Sequence, residues 1–173
     1  MQKFFTSDLH IGHKTIYQYR DIFNSQKEHD DYMINKILAL GKRDILYVLG
    51  DFIFDCDDCD EIIERLKHKK CRIIVIMGNH DSLRLHNEDI FEIYRPLVSH
   101  KGCWLSHMPI HPNEFRYRKL SVHGHLHDRK VMDIHDDEQE DIRYFNVNID
   151  CNLYEFVPVE RINFRKDYID ENM

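Results

Sequence analysis

The chain has 173 residues, 42% of them hydrophobic and 32% charged, with a formal net charge of −7. That length and balance suit a folded domain with a real core, expected to span residues 1–173, and they exclude a disordered chain. An acidic chain lacks the counterion-releasing surface that long nucleic acid or an anionic membrane would require, so neither is an expected partner.

The opening "MQKFFTSDLH" has no cleavage region of small residues, and no apolar run approaches the length of a membrane span. A cytoplasmic, reduced protein is expected. Cys56, Cys59, Cys71, Cys103 and Cys151 are odd in number and irregular in spacing, which argues against a disulfide framework.

Short apolar runs that end in polar punctuation read as buried strands. "KFFTS" stops at Asp8, "DILYVLG" at Asp51, "CRIIVIMG" at Asn79, "GCWLS" at His107 and "KLSVHG" at His125; "RYFNVNID" is a sixth such run. Helical patterns lie between them. "HKTIYQYRDIF" is the first helix candidate. "EHDDYMINKILALG" spaces Met33, Ile34, Ile37, Leu38 and Leu40 for one face, with Gly41 as a stop. "DEIIERLKHKK" places Ile62, Ile63 and Leu66 on one face and lysines in the last turn. Disorder is expected only at the tail "KDYIDENM". "CDDC" at 56–59 has zinc-knuckle spacing but no second CxxC, and reads as a solvated loop.

The residues that end the strands carry the chemistry, because ligands of open α/β sheets collect at the carboxyl ends of strands. Residues two apart on extended chain point the same way, so Asp8 and His10 can reach one ion, as can His125 and His127. Gly124 permits close backbone approach beside them. His123 lies inside an apolar strand and reads as a core histidine.

In order, the chain carries DxH, GD, GNHD, a lone His and GHxH. Five separated motifs in this order resemble the calcineurin-like metallophosphoesterase superfamily over nearly the whole chain. "SDLHIGHKTI", "LGDFIF", "GNHD", "LSHMPI", "VHGHLHD" and "NVNID" are similar to its small bacterial and phage members. The resemblance implies an α/β fold, a four-layer α-β-β-α sandwich with two mixed sheets, and a dinuclear site at the strand ends. It implies Asp8, His10, Asp51 and His127 as ligands of a first metal. Asp51, Asn79, His107 and His125 would hold a second, with Asp51 bridging.

Two divalent cations, two carboxylates and a bridging hydroxide leave a pocket of about +1 inside an acidic protein. Such a pocket holds a phosphate without a basic surface, and metals about 3.5–4 Å apart activate water for attack on it. Mixed nitrogen and oxygen donors favour manganese, iron, cobalt, nickel or zinc over magnesium; manganese is the expected ion in an assay.

His80 follows a metal ligand and is the catalytic candidate, protonating a leaving alkoxide and touching the phosphate. Asp81 is read as its orienting partner or as a helix N-cap. Related GDxxD sequences carry Asp where this chain has Phe54, which leaves Asp55, one residue later, as the alternative. His13 extends the "DLHxGH" pattern and is a substrate-side candidate, or else a helix cap. His111 is a weaker functional candidate. Arg84, His29, His68, His86, His100 and His135 read as surface residues.

The expected function is a dinuclear-metal-dependent phosphoesterase, specifically a phosphodiesterase on small or nucleotide-like esters. "HPNEFRYRKL" and "DIHDDEQEDIR" are the available specificity elements. A nuclease, a non-catalytic interaction module on the same fold and a histidine-rich metal store are the competing functions. Oligomeric state is not legible.

Overall fold

Each of the six apolar runs becomes a strand in the computed structural model, which describes residues 1–172. The strands are β1 (Lys3–Thr6), β2 (Ile45–Leu49), β3 (Arg72–Ile76), β4 (Glu92–Tyr94), β5 (Leu97–His100), β6 (Cys103–Ser106), β7 (Leu120–His123), β8 (Tyr144–Asn146) and β9 (Val157–Pro158). The helices are α1 (Gln26–Leu38), α2 (Cys59–Leu66) and α3 (Val159–Asn172).

Two mixed sheets result, as expected for the fold class. One has the order β4-β3-β2-β1-β9, parallel except for β9; the other has the order β5-β6-β7-β8, parallel except for β5. Strand alternation assigns side chains to two cores. Ile45, Tyr47 and Leu49 of β2 and Ile74 and Ile76 of β3 meet Leu105, Leu120, Val122 and Phe145 of the facing sheet. Leu46, Val48, Ile73 and Val75 point the other way, under Met33, Ile34 and Ile37 of α1 and Ile62, Ile63 and Leu66 of α2. Burial on both faces explains why β2 and β3 read as unbroken apolar runs.

α1 starts where Ser25 Oγ accepts the Glu28 amide at 3.2 Å while the Glu28 carboxylate accepts the Asn24 amide at 2.8 Å. This reciprocal cap satisfies amides that the first turn leaves open.

The structure corrects three expectations. Of "HKTIYQYRDIF", only Ile16–Tyr19 forms a 3-10 turn. Its β-branched and aromatic residues hold a helix poorly, and Arg20 is drawn fully inside. The tail is not disordered: residues 166–172 continue α3, which buries Ile162 and Ile169 in the inter-sheet core. Met173 lies outside the described residues. "CDDC" is a solvated turn at Asp57 and Asp58 but not throughout, since Cys59 opens α2 fully buried with its Sγ 3.3 Å from that of Cys56. No further His, Cys, Asp or Glu joins them as a metal group among the described residues. Among those residues, no helix is long and apolar enough to cross a membrane.

Candidate metal centre

Hydrogen bonding continues past the ends of the strands and sets the loops in register. Asp8 N–H donates to the Gly50 carbonyl at 3.0 Å, His10 N–H to Asp51 at 2.9 Å and Ile11 N–H to Phe52 at 3.0 Å. Gly124 N–H donates to His107 at 2.9 Å, and Ile149 N–H to Ser7 at 3.2 Å. The DxH, GD, His107 and GHxH segments thereby become neighbours although they are far apart in sequence.

Backbone strain concentrates here. Asp8, His10, Asp51, His125 and His127 all have positive φ, between 50° and 69°. Non-glycine residues in that region carry a conformational cost, and such residues cluster at functional sites. Gly124 is required for packing: a Cβ there would collide with Ser7 Oγ and an Asp8 carboxylate oxygen. Gly50 combines a φ of +83° with a ring of His107 lying where its Cβ would be.

The proposed second-metal donors converge. His107 Nε2 lies 3.3 Å from Asp51 Oδ2, 3.0 Å from Asn79 Oδ1 and 3.2 Å from His125 Nδ1. Its other nitrogen, Nδ1, is 2.9 Å from the Leu49 carbonyl, which fixes the ring. On the other side, Asp8, His10 and His127 place donor atoms within 4.8 Å of one another, as do Asp8, Asp51 and His107. His10 Nε2 lies 3.7 Å from Asp51 Oδ2, so Asp51 stands between the two groups.

Asp51 and His107 favour each other's charged forms. Burial would raise the Asp51 pKa, but the hydrogen bond and charge of His107 outweigh it and hold the carboxyl at about 2. Burial would likewise depress His107, yet the bond and charge of Asp51 hold it above its usual value. Burial drives His10 down to about 3, leaving it neutral. Imidazoles, an amide oxygen and carboxylates aimed at one another are a donor set that suits divalent transition metals once the imidazoles give up their protons.

His80 stands beside the donors without joining either group. Its backbone N–H donates to Asp51 Oδ1 at 3.0 Å, and its exposed ring stacks on Phe54 at 5.6 Å and lies 5.9 Å from that of His10. Neither expected carboxylate orients that ring. Asp81 instead accepts backbone N–H groups from Asp51 at 3.0 Å, Phe52 at 2.6 Å and Gly78 at 2.7 Å, clamping the GD loop to the GNHD loop. It is not a helix cap either; Ser82 Oγ takes the Arg84 amide. Asp55 is exposed and accepts from Ser82 Oγ at 3.1 Å.

His13 sits 5.9 Å from His10 and edge-on to Phe54 at 4.5 Å, while its Nδ1 accepts the Thr15 amide at 3.3 Å. His13 does not cap the Ile16–Tyr19 turn, whose N-cap is Thr15 with no side-chain cap bond; its ring lines a cavity beside His10 and His80. His111 caps the Pro112–Glu114 turn away from the donors, and Arg84 pairs with Asp60 on the surface. His123 is buried, with Nδ1 2.9 Å from the Gly124 carbonyl.

Residues missed in the sequence lie behind His127. Asp150 Oδ2 is 3.0 Å from His127 Nδ1 and 3.2 Å from the Arg20 guanidinium, which is 1% exposed. His29, expected on the surface, is fully buried between Arg20 at 2.6 Å and Asp30 at 2.7 Å. Its partners stabilise it there: a buried imidazole bonded at both nitrogens leaves no polar atom unsatisfied. The Asn146-x-Asn148-x-Asp150 alternation was the available signal. Asn148 N–H donates to Asn146 Oδ1 and Asp150 N–H to Asn148 Oδ1, at 2.9 and 2.8 Å, so the motif is a ladder of side-chain turns.

The chain matches the calcineurin-like phosphoesterase family over residues 1–167. It is 27% identical to the Gene 66 protein of Mycobacterium phage L5, over 76% of this chain and 80% of that protein. It is 30% identical to a probable cyclic nucleotide phosphodiesterase of Coxiella burnetii, over 51% of this chain and 35% of that protein. Among solved structures, a protein of unknown function from Aquifex aeolicus superposes with a TM-score of 0.67 and 28% identity, covering 94% of this chain and 97% of that one.

Proposed function

The chain belongs to the calcineurin-like phosphoesterase family, and from that premise we propose that it is a dinuclear-metal phosphodiesterase acting on small or nucleotide-like esters. The convergence of donors from Asp8, His10, Asp51, Asn79, His107, His125 and His127, with His80 beside them, is what supports this most. Asp8, His10, Asp51 and His127 would hold one ion; Asp51, Asn79, His107 and His125 would hold the other. When bound, the ions would supply a nucleophilic water at neutral pH and neutralise charge on the phosphoryl oxygens. Manganese is the ion proposed for reconstitution, with iron, cobalt, nickel or zinc as alternatives.

His80 delivers a proton to the departing alkoxide, a need greatest for a diester with a poor leaving group. Phe54 supports its ring by stacking where related sequences use a carboxylate. The leaving group lies in a cavity of about 510 Å³ that opens on His10, His80 and His127 and has Ile16, Tyr19 and Tyr154 in its wall. Apolar and aromatic side chains suit a nucleobase or another flat group. Arg20 is the one Lys or Arg lining this cavity among the described residues, and Asp150 already pairs with it. A single phosphate ester fits that balance better than a polyphosphate.

The test is hydrolysis by the manganese-reconstituted protein across phosphomonoesters and phosphodiesters, including 2′,3′- and 3′,5′-cyclic nucleotides. Turnover of diesters is expected. His80→Ala should lose roughly 10²–10⁴-fold on a diester with a poor leaving group, and less on p-nitrophenyl phosphate. Equal losses on both would remove the proton-donor role. Full metal loading with no hydrolysis of any ester would instead identify an interaction module.

A further inference from the structure

We propose that Arg20 and Asp150 are positioning residues that set the protonated nitrogen of His127 and pre-organise the first of the two metal sites; the inference rests on the dinuclear reading above. Arg20 is always protonated and offers only donors, so each of its contacts has a fixed direction. One terminal nitrogen donates to the Asp8 carbonyl at 2.6 Å and to Asp150 Oδ2 at 3.2 Å. The other donates to the Leu9 carbonyl at 3.1 Å and faces His29 Nε2 at 2.6 Å, while Nε lies 2.8 Å from Asp150 Oδ1.

Proton directions follow from that fact. His29 Nε2 must accept, so its Nδ1 carries the proton and donates to Asp30 Oδ1 at 2.7 Å. The other Asp30 oxygen accepts the Gly12 amide at 3.1 Å. At the opposite end, the Asp150 carboxylate has no proton to give, so His127 Nδ1 must donate to it at 3.0 Å. Neutral His127 is left with its lone pair on Nε2, ready for a metal.

The same guanidinium therefore governs two ligand segments. It holds the carbonyls of Asp8 and Leu9, within the strained DxH turn, and through Asp150 it holds the ring of His127. Asp30 pins the end of that turn at Gly12. Among the described residues, no arginine–carboxylate pair backs Asn79, His107 or His125; His107 faces the Leu49 carbonyl, Asn79, His125 and the shared Asp51, and the His125 amide donates to Asp8. Loss of Asp150 should therefore fall on one site and spare the other.

The test uses apo protein and three readouts: manganese binding by calorimetry and electron paramagnetic resonance, thermal unfolding without metal, and the 15N shifts of His127. Wild type should bind two ions and show His127 protonated at Nδ1. Asp150→Ala should weaken one site by roughly 10–100-fold and leave the other within about twofold. Asp150→Asn, whose amide oxygen can still accept the Nδ1 proton, should retain that tautomer and lose less. Its close match in shape keeps the test usable if the alanine variant does not fold. A purely structural role would lower unfolding temperature and leave both affinities and the tautomer unchanged, which would overturn the proposal. So would wild-type His127 protonated at Nε2. Wild type saturating at one ion would instead reject the dinuclear reading, and the two failures are distinguishable.

Discussion

Behind Asp8, His10 and His127 stands a buried chain of charges; behind Asn79, His107 and His125 stand main-chain groups and one another's side chains. The first half is braced by Arg20, Asp150, His29 and Asp30, none of them close in sequence to His127. The second leans on the Leu49 carbonyl, which β2 supplies whenever the sheet forms. The contrast concerns how a ligand can be held. Main-chain bracing comes with the fold and cannot be removed by a side-chain substitution. An ionised brace works only while complete, because a buried charge that loses its partner costs about 3–5 kcal/mol.

Asp51→Asn should give the largest effect, since it erases the distinction: the residue lies between both halves, and both ions should be lost together with hydrolysis. Metal content per chain after reconstitution measures this. Wild-type saturation at one ion would abolish the two halves altogether.

His127→Ala and His125→Ala should then separate them. The first should mainly weaken the ion near Asp8 and His10, the second the ion near Asn79 and His107, each by more than the roughly 10–100-fold that an outer partner is worth. Both should lose most activity and recover part of it at high metal concentration. Identical metal losses in the two variants would mean that the halves are one unit.

His123→Ala sharpens the contrast on β7, two residues before His125. It should keep two ions and most turnover, with a stability loss of about 1–3 kcal/mol read by denaturant titration. If it drops an ion while His125→Ala keeps two, the register of this strand is misread.

The smallest effect should come from an ion pair outside both halves. Burial would raise the Asp141 pKa, but the bonds from Arg143 outweigh it and hold the carboxyl below its usual value. A depressed carboxyl stabilises the fold above its unfolded pKa and loses that contribution as pH falls through the folded value. Asp141→Asn should thus cost about 1 kcal/mol or less at neutral pH. Its unfolding curve should converge with wild type in strong acid, with metal affinity unchanged throughout. A shift in either metal affinity would extend the network beyond Arg20 and Asp150.

The strands and their polar ends were legible because apolar runs are local and stop abruptly at Asp8, Asp51, Asn79, His107 and His125. Residues that act through a distant partner were not. Arg20 sits in a segment patterned like a helix, and only the fold shows that it serves Asp8 and Asp150. His29 looked exposed because it falls in no motif, yet two of its contacts are buried partners. α3 was missed because its buried positions, Ile162 and Ile169, are separated by mostly polar residues. Asp81 showed the reverse error: its place in GNHD suggested chemistry, and its carboxylate is spent on the amides of Asp51, Phe52 and Gly78.

The left-handed backbone at Asp8, His10, Asp51, His125 and His127 bears on how such a protein could decay or be redesigned. At each position glycine would relieve a conformational penalty on the order of 1–3 kcal/mol while deleting a donor. A library screened for heat resistance alone should therefore enrich glycine first at His10 and His125, whose side chains anchor no strong ion pair, rather than at Asp8, Asp51 or His127. The catalyst would be dismantled by the very substitutions that favour its scaffold.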